Sequence, residues 1–178
     1  MLIQTIQNNQ WKEVKKIYLE SFPKAEQKPF FVIKQSVKRQ KTEIITAVEG
    51  KNVRGFLMAI PYKDMVMVDY LAVNKKYRSS GTGGQLLQYI CKKYRGKSIH
   101  LLIENLDETS DNQEQRIARR KFYLKNGFHS SDFFIRGTSG ILEVLNYGKD
   151  ISENSFMSLQ KYSLGNLFFR LSKMEFVK

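Results

Sequence analysis

Helical and strand-like periodicities alternate along these 178 residues, and the alternation predicts an α/β (α+β) chain: a mixed sheet with helical layers. Two observations carry this. Apolar residues recur at three- and four-residue spacing in some windows and at every second position in others. The strand-like windows are joined both by a tight turn and by helical crossovers, so antiparallel and parallel neighbours are both expected.

Leu2, Ile3 and Ile6 mark a short first strand. Asn8 or Asn9 then caps a helix on which Trp11, Val14, Ile17, Tyr18 and Phe22 share one face, and Pro23 stops it. Pro29 suits the first turn of a second short helix, with Phe30, Ile33 and Val37 as its apolar side. Strand windows follow at Thr42–Glu49, Val53–Pro61 and Met65–Val73, the first two joined by a hairpin turn at Glu49-Gly50-Lys51-Asn52. Gly81 to Gly84 open a helix whose stripe is Leu86, Leu87, Ile90, Cys91 and Tyr94. Ser98–Glu104 reads as a strand, and a polar, acidic loop follows from Asn105 to about Asn112. A basic helix from about Gln113 stops at Asn126-Gly127. Phe128–Arg136 and Ile141–Tyr147 are the last strands, and the tail from Ser152 reads as helical, with Phe156, Leu159, Leu164, Phe168 and Leu171 available to pack.

Composition removes whole classes of protein. With 42% hydrophobic and 26% charged residues, three Pro and eleven Gly, the chain is neither disordered nor collagen-like. A lone Cys91 forms no intramolecular disulfide and, with two His, builds no zinc site, so no metal is expected. No apolar stretch reaches the roughly 18 residues of a membrane span, and the start Met1-Leu2-Ile3-Gln4-Thr5 lacks a signal-peptide plan. A cytoplasmic setting away from membranes is the expectation. The formal net charge of +13 is uneven: residues 51–100 hold ten basic and two acidic side chains, residues 101–150 seven and eight. A basic field of this kind attracts any polyanion, nucleic acid and nucleotide cofactors alike.

The most informative stretch is Val68-Asp69-Tyr70-Leu71-Ala72-Val73, four spacers, then Arg78-Ser79-Ser80-Gly81-Thr82-Gly83-Gly84 opening a helix. Glycines admit an anion close to the backbone, and a helix N-terminus adds about half a positive charge. Neither a Walker loop, which needs Gly-Lys-Ser/Thr, nor the dinucleotide fingerprint, whose third glycine is Leu86 here, fits.

Leu71-Ala72-Val73 with Arg78-x-x-Gly81-x-Gly83 resembles the acetyl-CoA signature of the GNAT superfamily of N-acetyltransferases. About forty residues later, Arg120-Lys121-Phe122-Tyr123-Leu124-Lys125-Asn126-Gly127-Phe128 resembles the family's second signature, in the family's order. The resemblance covers residues 1–147. It implies one acetyltransferase domain there, with a mostly antiparallel central sheet, a splayed central strand pair and flanking helices, and it leaves residues 148–178 as a helical C-terminal extension packed on the same domain.

It also implies site residues. Amides of Ser79, Ser80, Gly81, Thr82, Gly83 and Gly84 would hold the pyrophosphate of acetyl-CoA, with Arg78 beside them. The edge at Leu71, Ala72 and Val73 would pair with the pantetheine arm, and the Leu71 amide would polarise the thioester carbonyl. Tyr123 matches the tyrosine that protonates the leaving thiolate, although periodicity alone would make it a core aromatic. The base is Asp69, Glu104 or a water relay. Where many members carry Asn and Ala before the tyrosine, this chain has Arg116 and Arg119. Arg116, Arg119 and Arg120 then meet cofactor phosphate, pair with Asp107, Glu108 or Asp111, or form a solvated face. The first two helices, with Glu20, Phe22, Glu26 and Phe30, would wall the acceptor, and Tyr70 would add an aromatic side. The expected function is acetyl transfer to a primary amine of a small molecule or peptide, by a monomer or homodimer. The alternatives are a catalytically silent CoA-binding regulatory module and a basic RNA- or ribosome-associated protein.

Overall fold

The computed structural model describes residues 1–106, 110–137 and 140–177. Its contacts form two units: Met1–Pro61 with Val68–Arg95, and Tyr62–Met67 with Gly96–Lys178.

The first unit contains β1 (Leu2–Thr5), α1 (Trp11–Ser21), α2 (Phe30–Lys38), β2 (Glu43–Glu49), most of β3 (Asn52–Tyr62), the larger part of β4 (Met65–Val73) and α3 (Thr82–Lys93). Its strands lie in the order β1-β2-β3-β4, with β1–β2 and β2–β3 antiparallel. Gly50, at φ +57, makes the β2–β3 hairpin turn expected from the sequence. The α1 and α2 stripes close over one sheet face: Val14, Ile17, Tyr18 and Ile33 pack with Ile44, Phe56, Met58, Tyr70 and Ala72. Trp11 meets Phe30 edge-on at 6.0 Å, with Lys34 Nζ 5.2 Å from the Trp11 ring. These rings face a surface cavity of about 430 Å³ between α1 and α2. The cap before α1 differs from the expected Asn8 or Asn9. Those residues lie inside a short 3-10 turn, and Gln7 and Gln10 bond reciprocally across it. The longer amide side chains thus box that turn, which leads directly into α1.

In the second unit, the first residues of β4 pair in parallel with β5 (Ser98–Glu104), Met65–Met67 against Ser98–His100. That register covers three residue pairs, although β4 continues to Val73 and β5 to Glu104. Beyond β5 the order is β7 (Gly140–Tyr147), β6 (His129–Gly137) and β8 (Glu175–Val177), all antiparallel, and α4 (Gln113–Lys125) connects β5 to β6.

The tail departs from a plain helical reading. Ser152 caps α5 (Glu153–Leu164), which buries Phe156 against Ile135 and Val144. Gly165 at φ +79 then breaks the helix, and α6 (Asn166–Ser172) leaves Phe168 and Leu171 about two-thirds exposed instead of packed. The chain ends in β8, a strand on the edge of β6. Among the described residues, no helix is long and apolar enough to cross a membrane.

Candidate active site

The glycine loop has the backbone its sequence calls for. Ser79 and Gly81 both adopt left-handed φ, +61 and +80, and successive amides in such a turn converge into an anion-binding concavity. Ser80 Oγ donates to Tyr77 O at 2.6 Å and contacts Thr82 Oγ1 at 2.9 Å, fixing the turn from within. Intrahelical bonding begins with Gln85 N–H donating to Gly81 O. The amides of the first turn of α3, including Gly83 and Gly84, are therefore not consumed by the helix. Arg78, Ser79, Ser80 and Gly81 are exposed, whereas Thr82 is buried. The residues present thus suit an anionic diphosphate.

On β4, Tyr70 and Ala72 turn into the α1–α2 core, which leaves Asp69, Leu71 and Val73 on the opposite side. Gly55 of β3 lies directly against this strand. A methyl group there would sit 2.7 Å from Ala72 O, 3.2 Å from Val73 Cα and 3.4 Å from Thr82 Cγ2. One glycine thereby sets the close approach of β3, the Leu71–Val73 edge and the start of α3.

Asp69 has a partner that sequence reading missed: Lys28 Nζ lies 2.5 Å from its Oδ2. The carboxylate is about one-tenth exposed. Tyr70 is mostly buried. Its ring packs on Phe22 at 4.7 Å and Tyr18 at 5.0 Å, and its hydroxyl donates to Glu26 O at 2.6 Å. Burial, and then the Asp69 charge, push the Tyr70 phenol far above its ordinary range. Phe22 and Phe30 are half-buried beside these rings, and the side chains of Glu20 and Glu26 are exposed. Lys41 is nearby, its amine lowered by burial and by the Lys28 charge.

The second unit holds the other predicted residues. Tyr123 is buried, with Phe122 and Phe128 against its ring at 5.2 and 5.8 Å. Burial pushes its phenol up to about 12, while the Arg119 charge pulls the other way, so it is protonated at neutral pH. Glu104 is held by Arg119, by Arg116 at 3.5 Å and by Asn112 Nδ2 at 3.3 Å. Burial raises its carboxyl, but the Asn112 hydrogen bond and the two arginine charges outweigh that and hold it below the usual range. Arg116 also donates to Asn105 O at 2.8 Å and Asn112 Oδ1 at 2.7 Å. Arg120 grips the buried Glu143 through two hydrogen bonds of 2.8 and 3.0 Å. The arginines thus pair with strand-borne glutamates. Asp107 and Glu108, weighed as their partners, lie outside the described residues.

A family model described as an acetyltransferase (GNAT) domain matches residues 40–130. The chain belongs to the GNAT acetyltransferase family. It is an acyltransferase, and its family supports acetyl-CoA as the donor; a silent binding module and an RNA-associated protein are not favoured. The chain is 30% identical over 141 residues to YjbC of Bacillus subtilis (strain 168), named as a candidate acetyltransferase, covering 75% of this chain and 70% of that protein. A Bacteroides thetaiotaomicron chain named as a GNAT-family acetyltransferase candidate superposes with a TM-score of 0.73 at 16% identity, covering 95% of this chain and 98% of that one. An aminoglycoside 6'-N-acetyltransferase complexed with coenzyme A gives 0.67 at 17% identity, covering 86% and 99%. At these identities the two structures speak for the GNAT fold alone.

Proposed function

We propose that this GNAT enzyme transfers the acetyl group of acetyl-CoA to a primary amine by direct attack, with both substrates bound together. The observation that carries the reading is the left-handed Ser79 and Gly81 turn opening onto α3, packed through Gly55 against the Leu71–Val73 edge. In this reading the amides of Ser79 to Gly84 bind the diphosphate, and Arg78 supplies a full charge beside them. Backbone groups of Leu71, Ala72 and Val73 align the pantetheine arm as an added strand would. The Leu71 N–H donates to the thioester carbonyl, where negative charge develops as the amine attacks.

Asp69 takes the amine's proton. It shares a face with Leu71 and is ion-paired with Lys28, whereas Glu104 is tied to two arginines and an asparagine. Tyr123, protonated at neutral pH, gives its proton to the departing thiolate. Arg116 serves the reading better as a support for Glu104 and the Asn105 backbone than as a phosphate ligand, since those groups occupy its guanidinium. The acceptor is walled by α1, α2 and the turn between them, with Phe22, Phe30 and Tyr70 as its apolar side and Glu20 and Glu26 at its rim. The chemistry belongs to residues 1–147, with 148–178 as an extension, in a cytoplasmic monomer or homodimer acting on a small-molecule or peptide amine.

Calorimetric titration of acetyl-CoA into wild type and Gly83→Glu at two salt concentrations tests the reading. Micromolar binding abolished by the substitution is expected, because a carboxylate at the first turn of α3 repels the diphosphate. Absence of binding to the wild type at both salt concentrations would refute the cofactor site. Thiol release across a panel of primary amines then identifies the acceptor class.

A further inference from the structure

Lys28 is held too deliberately to be an incidental partner of Asp69. Its backbone N–H donates to Tyr18 Oη at 2.7 Å, and the same hydroxyl donates to Lys28 O at 3.2 Å, so both main-chain polar groups are fixed. The preceding turn is fastened as well: Gln27 Nε2 donates to Phe22 O at 2.6 Å, and Tyr70 Oη donates to Glu26 O at 2.6 Å. From this anchored backbone the side chain passes the Tyr70 ring, with Nζ 5.7 Å from its centroid, and ends 2.5 Å from Asp69 Oδ2. Lys28 stays about a quarter exposed. A flexible primary amine is thereby presented to the carboxylate two residues before Leu71 on one face of β4.

We propose that Lys28 is an acetyl acceptor within its own chain, its amine seated where an outside acceptor amine would bind Asp69. This rests on the reading that the thioester lies against Leu71. The reaction forms one bond, from Lys28 Nζ to the acetyl carbon, and breaks the thioester C–S bond. Of the two protons that the ammonium sheds, one ends on the departing thiolate as the free thiol, and the other passes to solvent by way of Asp69. Nothing is oxidised or reduced. The product is a neutral amide that no longer pairs with Asp69, so a later cationic acceptor meets the carboxylate without first displacing an ammonium.

The full chain is incubated with acetyl-CoA and no other amine, and acetylation is mapped by peptide mass spectrometry. Lys24, exposed four residues earlier, serves as the internal measure of chemical background. Lys28 is expected to be modified at least about tenfold faster than Lys24, at a rate per molecule unchanged over a twentyfold dilution. Asp69→Asn is expected to slow Lys28 about tenfold and leave Lys24 as it was. Without acetyl-CoA, sulfo-NHS acetate should label Lys28 more slowly than Lys24, since the amine is ion-paired. Faster labelling by that reagent would reduce the selectivity to intrinsic reactivity and overturn the proposal, as would a rate that scales with protein concentration. Calorimetry on the same sample separates the two possible failures. Acetyl-CoA bound while Lys28 is no faster than Lys24 overturns this proposal alone, whereas absence of binding overturns the cofactor site and this proposal with it.

Discussion

Replacing Gly55 with alanine tests how the β4 edge is placed. The backbone of Gly55 does not need a left-handed conformation, so space alone decides the outcome. The added Cβ would lie 2.7 Å from Ala72 O and 3.2 Å from Val73 Cα, and the first separation must grow to about 3.4 Å before the contact becomes ordinary. Both neighbours are main chain, so no side chain can swing aside and the strand itself must shift. Overpacking of this kind costs about 1–3 kcal/mol, and for a chain of this size each kcal/mol lowers Tm by about 2–4 °C. A melting temperature lower by roughly 2–12 °C is therefore expected in thermal denaturation. The displaced segment is the one read as aligning the thioester. Since misplacement by about 1 Å can cost about 10²-fold in rate, thiol release from acetyl-CoA should fall about tenfold in the folded variant. Gly137→Ala is the matched control, because among the described residues the nearest atom to its Cβ is Leu142 Cδ1 at 4.0 Å. Its stability should stay within about 0.5 kcal/mol of wild type. A Gly55→Ala protein with unchanged Tm and unchanged turnover would refute the close-approach argument.

Three further outcomes follow. Tyr123→Phe keeps the ring contacts with Phe122 and Phe128, so acetyl-CoA affinity should hold within about twofold while kcat falls by about 10²–10⁴; undiminished kcat would remove Tyr123 from the chemistry. Arg120→Met strands Glu143, whose side chain is 4% exposed, and should cost about 3 kcal/mol in urea denaturation, a loss that Glu143→Gln in the same chain should largely restore. His100 is fully buried with Nδ1 donating to Asn146 Oδ1 at 2.5 Å, and burial lowers its pKa from 6.5. A folded-state pKa below the unfolded one means that the unfolded chain takes up the proton first. The His100 contribution is thus present above about pH 6.5 and is lost as pH falls from there through the folded value. Urea midpoints measured from pH 7.5 to 5 should decline in wild type and flatten in His100→Gln.

Elements whose chemistry is local were readable in the sequence. Gly50 and Gly127 occupy the left-handed positions expected of a turn and a helix stop, and β4 and β5 begin and end where alternation placed them. The glycine loop was legible because positive φ and small side chains leave a direct trace in residue type. What escaped depends on contacts distant in sequence. Lys28 and Asp69 are 41 residues apart and Arg120 and Glu143 are 23 apart, and no periodicity links them. β8 spans Glu175–Val177, too short for a period-two pattern to show; its pairing with β6 makes it a strand. Phe168 and Leu171 look like core on a helical wheel, yet the break at Gly165 turns them to solvent.

Trp11 is the single tryptophan of the chain, and it stands edge-on to Phe30 where α1 meets α2, with the Lys34 ammonium over its ring. Every photon this protein emits from indole therefore originates at one helix joint. Tyr18 of α1 and Phe22 just past its end border Phe30 and Tyr70. An amine settling among them would perturb that emission without any attached dye, and diphosphate binding at the start of α3 would leave it comparatively quiet. If the acceptor binds as proposed, this indole is an internal optical gauge of its entry, able to rank unlabelled amines before any product is formed.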